Sequence, residues 1–176
     1  MKVKRLVRIG LFAALCFIGT YIHIPIVFGG YNSMIHLGTT MIFLSAILLG
    51  PDAGISAGIG CALFDAMDPK FAAYIIPTLI IKGLTGYVAG KIAFYHNNNG
   101  NNNKLNILAF ISGGLVSLFG YFIANWIFFK GWIGAVLGLS TSIITTIIGV
   151  LITIPLAIII KPLVIRSGVQ LFNGGR

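Results

Sequence analysis

The fold is decided by residues 36–92, which read "HLGTTMIFLSAILLGPDAGISAGIGCALFDAMDPKFAAYIIPTLIIKGLTGYVAGKI". The run is apolar except for two short polar breaks, "GPDAG" and "FDAMDPK". Because proline, glycine and aspartate favour turns, these breaks divide the run into three predicted helices, about 35–50, 53–67 and 71–95. Apolar helices of roughly this length cross hydrocarbon ~30 Å thick, so the stretch indicates a helical membrane protein.

The rest of the chain repeats the same pattern. Three more apolar segments, about 6–27, 105–128 and 140–163, bring the number of predicted helices to six. The run "HNNNGNNNK" contributes residues 97–104, a low-complexity polar linker without the apolar side chains that a core needs. We therefore predict one domain, residues 1–176, of the all-α membrane class.

Composition excludes several classes of protein. The chain is 57% hydrophobic and 9% charged, with a mean hydropathy of +1.00, whereas soluble domains carry about a quarter charged residues. The net charge of +9 does not indicate nucleic-acid binding, because the basic residues flank apolar segments instead of forming one patch. The sequence has no GxxxxGK[ST] or HExxH motif, and no histidine has a companion at metal-ligand spacing. We expect no enzyme activity, no metal site and no cofactor or ATP bound by this chain itself.

The lysines and arginines predict the orientation. With the N-terminus in the cytoplasm, two basic residues, Lys70 and Lys130, fall in outer loops, and nine fall at cytoplasmic ends of helices. The nine are Lys2, Lys4, Arg5, Arg8, Lys91, Lys104, Lys161, Arg166 and Arg176. Because cytoplasmic loops carry the excess of lysine and arginine, this asymmetry predicts six transmembrane helices with both termini in the cytoplasm. The twelfth basic residue, Lys82, belongs to neither side.

Lys82 and Asp65 are the first candidates for a binding site. At ~1.5 Å per residue, Lys82 lies roughly 13 Å above the cytoplasmic end of its helix, and Asp65 lies roughly 20 Å above the end of its own. The difference is shorter than a lysine side chain, so the two can form an ion pair or line one polar site. An ionisable residue inside the membrane costs on the order of 3 kcal/mol and usually marks function. The alternative is a snorkelling lysine or a purely structural pair.

Polar residues near the predicted outer face extend the candidate site. Tyr121 and Asn125 lie four residues apart on the fifth helix and therefore share one face. Asn125 either contacts a ligand or forms an interhelical hydrogen bond. The loop "GGYNSMIH" presents Tyr31, Asn32 and His36, either as a lid over a pocket or as an ordinary turn.

Aromatic rings and hydroxyl groups complete the set. Trp126 and Trp132 fall at the outer interface, where they either form an aromatic belt or stack on a ligand. Tyr74, near the start of the fourth helix, is a third candidate for stacking. Thr141 belongs to the hydroxyl-rich run "STSIITT", whose side chains either bond back to their own helix or contact a ligand.

Small residues recur four apart on several helices, a spacing that lets helix backbones approach closely in lipid. The pairs are Gly54 and Gly58, Gly86 and Gly90, and Gly10 and Ala14. We expect such pairs to pack helices of this chain together, with docking onto another membrane protein as the alternative. The first-helix pair is the best candidate for docking, because it lies on the terminal helix.

The middle third of the chain, residues 36–92, resembles the substrate-binding S component of an energy-coupling factor (ECF) vitamin transporter, in its riboflavin-type branch. The resemblance implies the S-component fold, with an outer pocket built from the loop after helix one and parts of helices four, five and six. It also implies that Gly10, Ala13 and Ala14 dock onto a transmembrane coupling subunit. That subunit carries two cytoplasmic ATP-binding subunits, and the assembly lies in the bacterial cell membrane.

One departure from the family pattern bears on the substrate. Many riboflavin-type relatives have a Pro-Gly-Asn turn before the sixth helix, where this chain reads "GLSTSI" at residues 138–143. A smaller polar ring therefore fits better than riboflavin or pantothenate: hydroxymethylpyrimidine, which is a thiamine precursor, or pyridoxine. The alternatives are a self-sufficient facilitator or channel that acts as an oligomer, and a scaffold protein that binds no small molecule.

Overall fold

The computed structural model describes residues 2–28 and 31–166. Its helices and strands are, in chain order, α1 (Lys2–Tyr21), β1 (His23–Phe28), β2 (Tyr31–His36), α2 (Gly38–Leu49), α3 (Ala53–Met67), α4 (Ile75–Ala93), α5 (Asn103–Ala124) and α6 (Gly131–Arg166). The prediction of a mostly helical protein is confirmed. Arg176, one of the nine basic residues assigned to the cytoplasm, lies outside the described residues.

Successive helices run in opposite directions, so the bundle has two distinct ends. Arg5, at the start of α1, forms an ion pair with Asp52, which directly precedes α3, so these two helices start together. Near the end of α6, Lys161 Nζ donates to the carbonyl oxygen of Asn99 (2.9 Å), close to the start of α5. We call the end that holds these residues the basic end. The opposite end carries the two strands, and we call it the hairpin end.

Within residues 2–28 and 31–166, four helical segments are long and apolar enough to cross a membrane: Gly38–Met67, Ala72–Ala93, Asn103–Phe129 and Gly131–Leu163. The first joins α2 and α3 through the short turn Gly50–Asp52. Membrane-length helices are therefore present as expected. Six crossings, with both termini in the cytoplasm, stay a prediction.

Glycines bring α3 and α4 together at backbone contact. A Cβ atom added at Gly54 or at Gly58 would lie 2.7 Å from a carbonyl oxygen of α4. A Cβ atom at Gly86 would lie 2.6 Å from the carbonyl oxygen of Ala53, and one at Gly90 would collide with the turn before α3. Real Cβ atoms do not approach this closely, so these glycines are required by the packing. The expectation that both pairs pack helices within the chain is confirmed.

The small residues of α1 divide between two faces. Gly10 and Ala14 are exposed, and a Cβ atom added at Gly10 would meet no atom within 4 Å. Ala13 is buried, and its carbonyl oxygen lies against Gly60 of α3. Gly10 and Ala14 thus form an open face, whereas Ala13 packs inside the bundle. Docking of a partner onto this face stays a prediction.

The strands β1 and β2 form an antiparallel hairpin that the sequence analysis did not predict. The first helix was expected to reach residue 27, but α1 ends at Tyr21 and the chain continues as β1, with His23 opposite His36. Pro25 has no backbone N–H and disfavours the helical conformation for the residue before it. The isoleucines and valine around it favour extended structure, so the chain leaves the helix here.

The sixth helix also differs from the prediction. It begins at Gly131 rather than at residue 140, so the segment "GWIGAVLG" forms its first turns. Gly131 has a φ of +64°, a conformation that other residues rarely adopt, and it reverses the chain after the wide turn Asn125–Phe129. Because α6 begins at Gly131, the hydroxyl-rich residues 140–146 lie inside the helix rather than at its start.

Candidate functional site

A cavity of about 90 Å³ lies inside the hairpin end of the bundle. Strand β2 covers it, and α2 to α6 with their connecting segments supply the walls. It brings together eight of the eleven predicted site residues: Asn32, His36, Asp65, Tyr74, Lys82, Tyr121, Asn125 and Thr141. Convergence of polar groups in a concave site between helices is typical of small-molecule binding.

Lys82 lies in the middle of α4 and contacts hydroxyl groups rather than Asp65. Its Nζ donates to Ser117 Oγ (3.1 Å) and to Thr39 Oγ1 (3.4 Å), and it lies 5.2 Å from the centre of the Tyr121 ring. The residue is only 4% exposed, so its amine does not reach a membrane interface. The snorkelling alternative is therefore wrong, and the amine belongs to the cavity wall.

Asp65 lines the same cavity from the end of α3 and is 3% exposed. Within the described part of the chain, no ion pair joins it to Lys82. One of its carboxylate oxygens, Oδ2, is buried without a hydrogen-bond partner. Leaving a buried acceptor unsatisfied costs about 1–3 kcal/mol, and more when the group is charged. The cavity thus holds a cationic and an anionic side chain that do not satisfy each other, which suits a ligand with both donor and acceptor groups.

Two hydrogen bonds form the aromatic wall of the cavity, one between α4 and α5 and one between the residue before α4 and the residue after α5. Tyr74 O–H donates to Asn125 Oδ1 (2.5 Å), and the hydroxyl groups of Thr78 and Tyr121 lie 2.9 Å apart. The two partners on each side are four residues apart, so both bonds lie where α4 and α5 face each other. Because Tyr74 occupies the amide oxygen of Asn125, the N–H₂ group of that amide is left to donate to another acceptor. Tyr74 also stacks on Phe129, with ring centres 4.2 Å apart.

His36 contributes a neutral imidazole. Its Nδ1 accepts a hydrogen bond from the backbone N–H of Gly38 (3.1 Å), so Nε2 carries the ring hydrogen. Burial lowers the pKa of His36 to about 3, and the nearby charge of Lys82 acts in the same direction. The ring therefore stays uncharged at physiological pH and offers one N–H donor.

Two hydrogen bonds hold strand β2 of the hairpin over the cavity. Ser33 Oγ and Thr141 Oγ1 lie 2.7 Å apart in a hydrogen bond between β2 and α6. Lys130 Nζ donates to the carbonyl oxygen of Asn32 (2.8 Å) and lies 5.8 Å from the centre of the Tyr31 ring. Partial burial lowers the pKa of Lys130. The element is a strand pair rather than a loop, and its action as a lid stays a prediction.

Three predicted site residues lie outside the cavity lining. Trp126 and Trp132, 47% and 57% exposed, contact each other edge to face with ring centres 5.2 Å apart. They occupy the surface position of an aromatic belt, which was the alternative interpretation. Tyr31 packs against Lys130 and Gly134 on the outer side of the hairpin. The structure therefore does not bring these three rings into the cavity.

Other lining residues were not among the predicted site residues. Thr39 lies in an apolar run with no polar stripe, so its sequence gave no signal. Lys130 was interpreted as an orientation signal in an outer loop, and only the hairpin places it over the cavity. Phe71 lines the cavity from the segment between α3 and α4, and nothing in that segment distinguishes it from other apolar residues.

Comparison with known proteins gives one family and two relatives. The profile of a family described as "ECF-type riboflavin transporter, S component" matches residues 1–162. The chain is 30% identical over 177 residues to the thiamine precursor transporter HmpT of Lactococcus lactis subsp. cremoris (strain MG1363), an alignment that covers 99% of this chain and 95% of the relative. It is also 31% identical over 129 residues to a Pyrococcus woesei protein named "Uncharacterized protein in gap 3'region". That alignment covers 72% of this chain and 82% of the relative.

Proposed function

The chain belongs to the family of S components of ECF-type riboflavin transporters, and we propose that it is the substrate-binding subunit of an ATP-driven importer in a bacterial cell membrane. Members of this family are transporter subunits rather than enzymes. The ATP is bound by two partner subunits, which a transmembrane coupling subunit connects to this chain.

The observation that carries the proposal is the cavity that Lys82 and Asp65 line together. Both side chains are at least 96% buried in an apolar bundle, yet they do not form an ion pair within the described structure. Ionisable groups at membrane depth are expensive and usually mark a substrate site. A bound nutrient that bridges them satisfies both groups, which supports binding in this cavity rather than a purely structural role.

The proposed substrate is hydroxymethylpyrimidine, with pyridoxine second. Pockets for drug-sized ligands measure about 300–1,000 Å³, whereas this cavity measures about 90 Å³, which favours one small ring over riboflavin. Hydroxymethylpyrimidine is an aminopyrimidine, so its exocyclic amine donates to Asp65 and its ring nitrogens accept from Lys82 or His36. Pyridoxine offers hydroxyl groups but no exocyclic amine. The match to a relative named as a thiamine precursor transporter supports the same choice.

The proposed orientation places the hairpin outside the cell. Of the twelve basic residues, nine belong to the predicted cytoplasmic side and two to the hairpin side, which supports cytoplasmic termini. The cavity then opens toward the side from which a nutrient arrives. The exposed face of Gly10 and Ala14 is the proposed docking surface for the coupling subunit, because small residues allow a partner helix to approach closely.

Calorimetric titration of the purified protein tests the function. Hydroxymethylpyrimidine, pyridoxine, riboflavin and pantothenate are each added after any co-purified ligand has been identified by mass spectrometry and removed. We expect hydroxymethylpyrimidine to bind most tightly, and riboflavin to bind weakly or not at all. Absence of binding for all four compounds contradicts the proposal. Uptake of substrate into liposomes that contain this chain alone contradicts it too and favours a self-sufficient facilitator.

A further inference from the structure

A second cavity lies at the basic end, opposite the site described above. It measures about 390 Å³ and lies between the loop before α5, the first turns of α5 and the end of α6. One wall is polar and contains Gly100, Asn101, Asn103 and Asn106. The other wall is apolar apart from Lys161. The proposed vitamin site uses none of these residues.

Lys161 places a positive charge in this cavity, and no residue that the structure describes gives it a counter-charge. The residue is 8% exposed, and its Nζ donates one hydrogen bond, to the carbonyl oxygen of Asn99. An ammonium group has three N–H donors. The acidic residues of the chain are Asp52, Asp65 and Asp68, and none of them lines the cavity. The cavity therefore favours an anion.

Asn106 adds an acceptor that needs a donor. The residue is 6% exposed, and its Nδ2 donates to the carbonyl oxygen of Gly100 (2.8 Å). Its Oδ1 is buried and has no hydrogen-bond partner. The start of α5, at Asn103, also faces the cavity with the positive end of its helix dipole. Because Asn102 already caps two of the first amides, Lys161 supplies the main attraction for an anion.

The loop that borders the cavity has a defined backbone, although the sequence predicted a low-complexity linker. Gly100 has a φ of +68°, and a Cβ atom there would lie 3.0 Å from Lys161 Nζ. His96, Asn97 and Asn99 also have positive φ. Asparagine and glycine tolerate this conformation, so the asparagine-rich composition fits the shape of the loop. The polar wall is therefore part of the fold.

We propose that this cavity binds the headgroup of an anionic glycerophospholipid. The phosphate contacts Lys161, a free hydroxyl of the headgroup, as in phosphatidylglycerol, donates to Asn106 Oδ1, and an acyl chain lies along Ile158 and Pro162. Ile158 is exposed on the outside of the bundle, where lipid surrounds the helices. Basic pockets between transmembrane helices bind such headgroups in other membrane proteins. A free phosphate ion is also an anion and can bind Lys161, but it has no apolar part to contact Ala157, Ile158 and Pro162.

The test is native mass spectrometry of the delipidated protein with added phosphatidylglycerol, phosphatidylcholine or inorganic phosphate. The informative variant is Asn103→Asp, which puts a carboxylate in the lining while a negative charge at a helix start leaves α5 stable. We expect wild type to prefer phosphatidylglycerol over phosphatidylcholine, and Asn103→Asp to bind phosphatidylglycerol about fivefold more weakly, the effect of one charge near the headgroup. Asn97→Asp makes the same charge change in the same loop outside the lining, and we expect wild-type binding.

A second variant, Lys161→Gln, removes the positive charge itself. We expect the same loss of phosphatidylglycerol binding, with vitamin binding at the opposite end unchanged as evidence that the variant is folded. Equal phosphatidylglycerol binding by wild type and Asn103→Asp overturns the proposal, as does an equal affinity for the two lipids. Displacement of the lipid by inorganic phosphate at equal concentration overturns the lipid assignment and indicates a site for free anions.

Discussion

The two halves of α4 present one continuous stripe to the bundle, but they meet their neighbours in opposite ways. Toward the hairpin end, Thr78 and Lys82 face a cavity. Toward the basic end, Gly86 and Gly90 lie four residues apart on the same stripe and contact the backbone of α3 and the turn before it. Side-chain size and polarity along this stripe therefore decide where the bundle is solid and where it is hollow.

This comparison separates stability from binding. Close helix contact replaces the missing hydrophobic drive in lipid, so the glycine half contributes most to holding α3 and α4 together. The cavity half holds Lys82 and Asp65, buried groups that lower stability unless a ligand satisfies them. Substitutions in the glycine half are expected to lower the stability of the fold, and substitutions in the cavity half are expected to weaken substrate binding.

The largest effect is expected from Gly90→Ala. Its new Cβ atom collides with the carbonyl oxygen of Gly50, a backbone atom that cannot rotate away. Overpacking of this kind costs about 3 kcal/mol of unfolding free energy at the upper end of its usual range. Chemical unfolding in detergent micelles measures the change. Gly10→Ala is the matched control, since nothing lies within 4 Å of its Cβ position. Equal stability of the two variants contradicts the role of the glycine contact.

Lys82→Met tests the cavity half of α4. Methionine fills similar volume but offers no donor, so we expect hydroxymethylpyrimidine to bind at least about a hundredfold more weakly, as expected when a buried charged partner is removed. The unfolding free energy is not expected to fall, because the substitution also removes a buried charge. Titration calorimetry gives the first result and chemical unfolding the second. Lys91→Met, on the exposed side of the same helix, is the control. Wild-type affinity in Lys82→Met removes this residue from the site.

Asp65→Asn distinguishes between the two favoured substrates. The amide keeps the size of the side chain but loses its negative charge, so the hydrogen bond from an exocyclic amine weakens by about tenfold in affinity. Pyridoxine has no such amine, and its affinity is expected to stay the same. Competition titrations of both compounds on both proteins measure the ratio. A parallel loss for the two compounds contradicts recognition of the amine by Asp65.

Lys130→Met loosens the hairpin without changing the charged pair in the cavity. Loss of the hydrogen bond to Asn32 is expected to raise the dissociation rate of hydroxymethylpyrimidine by about fivefold, the worth of one hydrogen bond. Stopped-flow displacement measures this rate. Lys70→Met changes an exposed lysine at the same end and is expected to leave the rate unchanged. If both variants dissociate like wild type, the hairpin does not act as a lid.

The smallest effect is expected from Trp126→Leu. This ring lies on the surface beside Trp132 and outside the cavity lining, so we expect the affinity for hydroxymethylpyrimidine to change by no more than about twofold. The same titration measures it. A loss as large as that in Lys82→Met shows that the ring reaches the substrate, as the sequence alone allowed.

The close packing of α3 against α4 was predicted more accurately from the sequence than the cavity was. The third helix was predicted at 53–67 and is observed at Ala53–Met67, because turn residues define both of its ends. The glycine contacts were readable because close helix packing depends on residues four apart in one helix. Local sequence carries this information.

The cavity depends on contacts that local sequence does not carry. The burial of Lys82 was predictable from its place in an apolar helix, but its partners Thr39 and Ser117 come from two other helices. An ion pair between Lys82 and Asp65 was compatible with their heights, yet the structure does not form it. The hairpin was missed because Pro25 lies in a segment apolar enough to resemble the end of a transmembrane helix.

A crystal structure of the protein with bound hydroxymethylpyrimidine tests the assignment of the cavity directly. We expect the ring beneath β2, with its amine about 2.7–3.2 Å from a carboxylate oxygen of Asp65 and an acceptor atom at a similar distance from Lys82 Nζ. Ligand density outside this cavity, or a ring that contacts neither side chain, contradicts it.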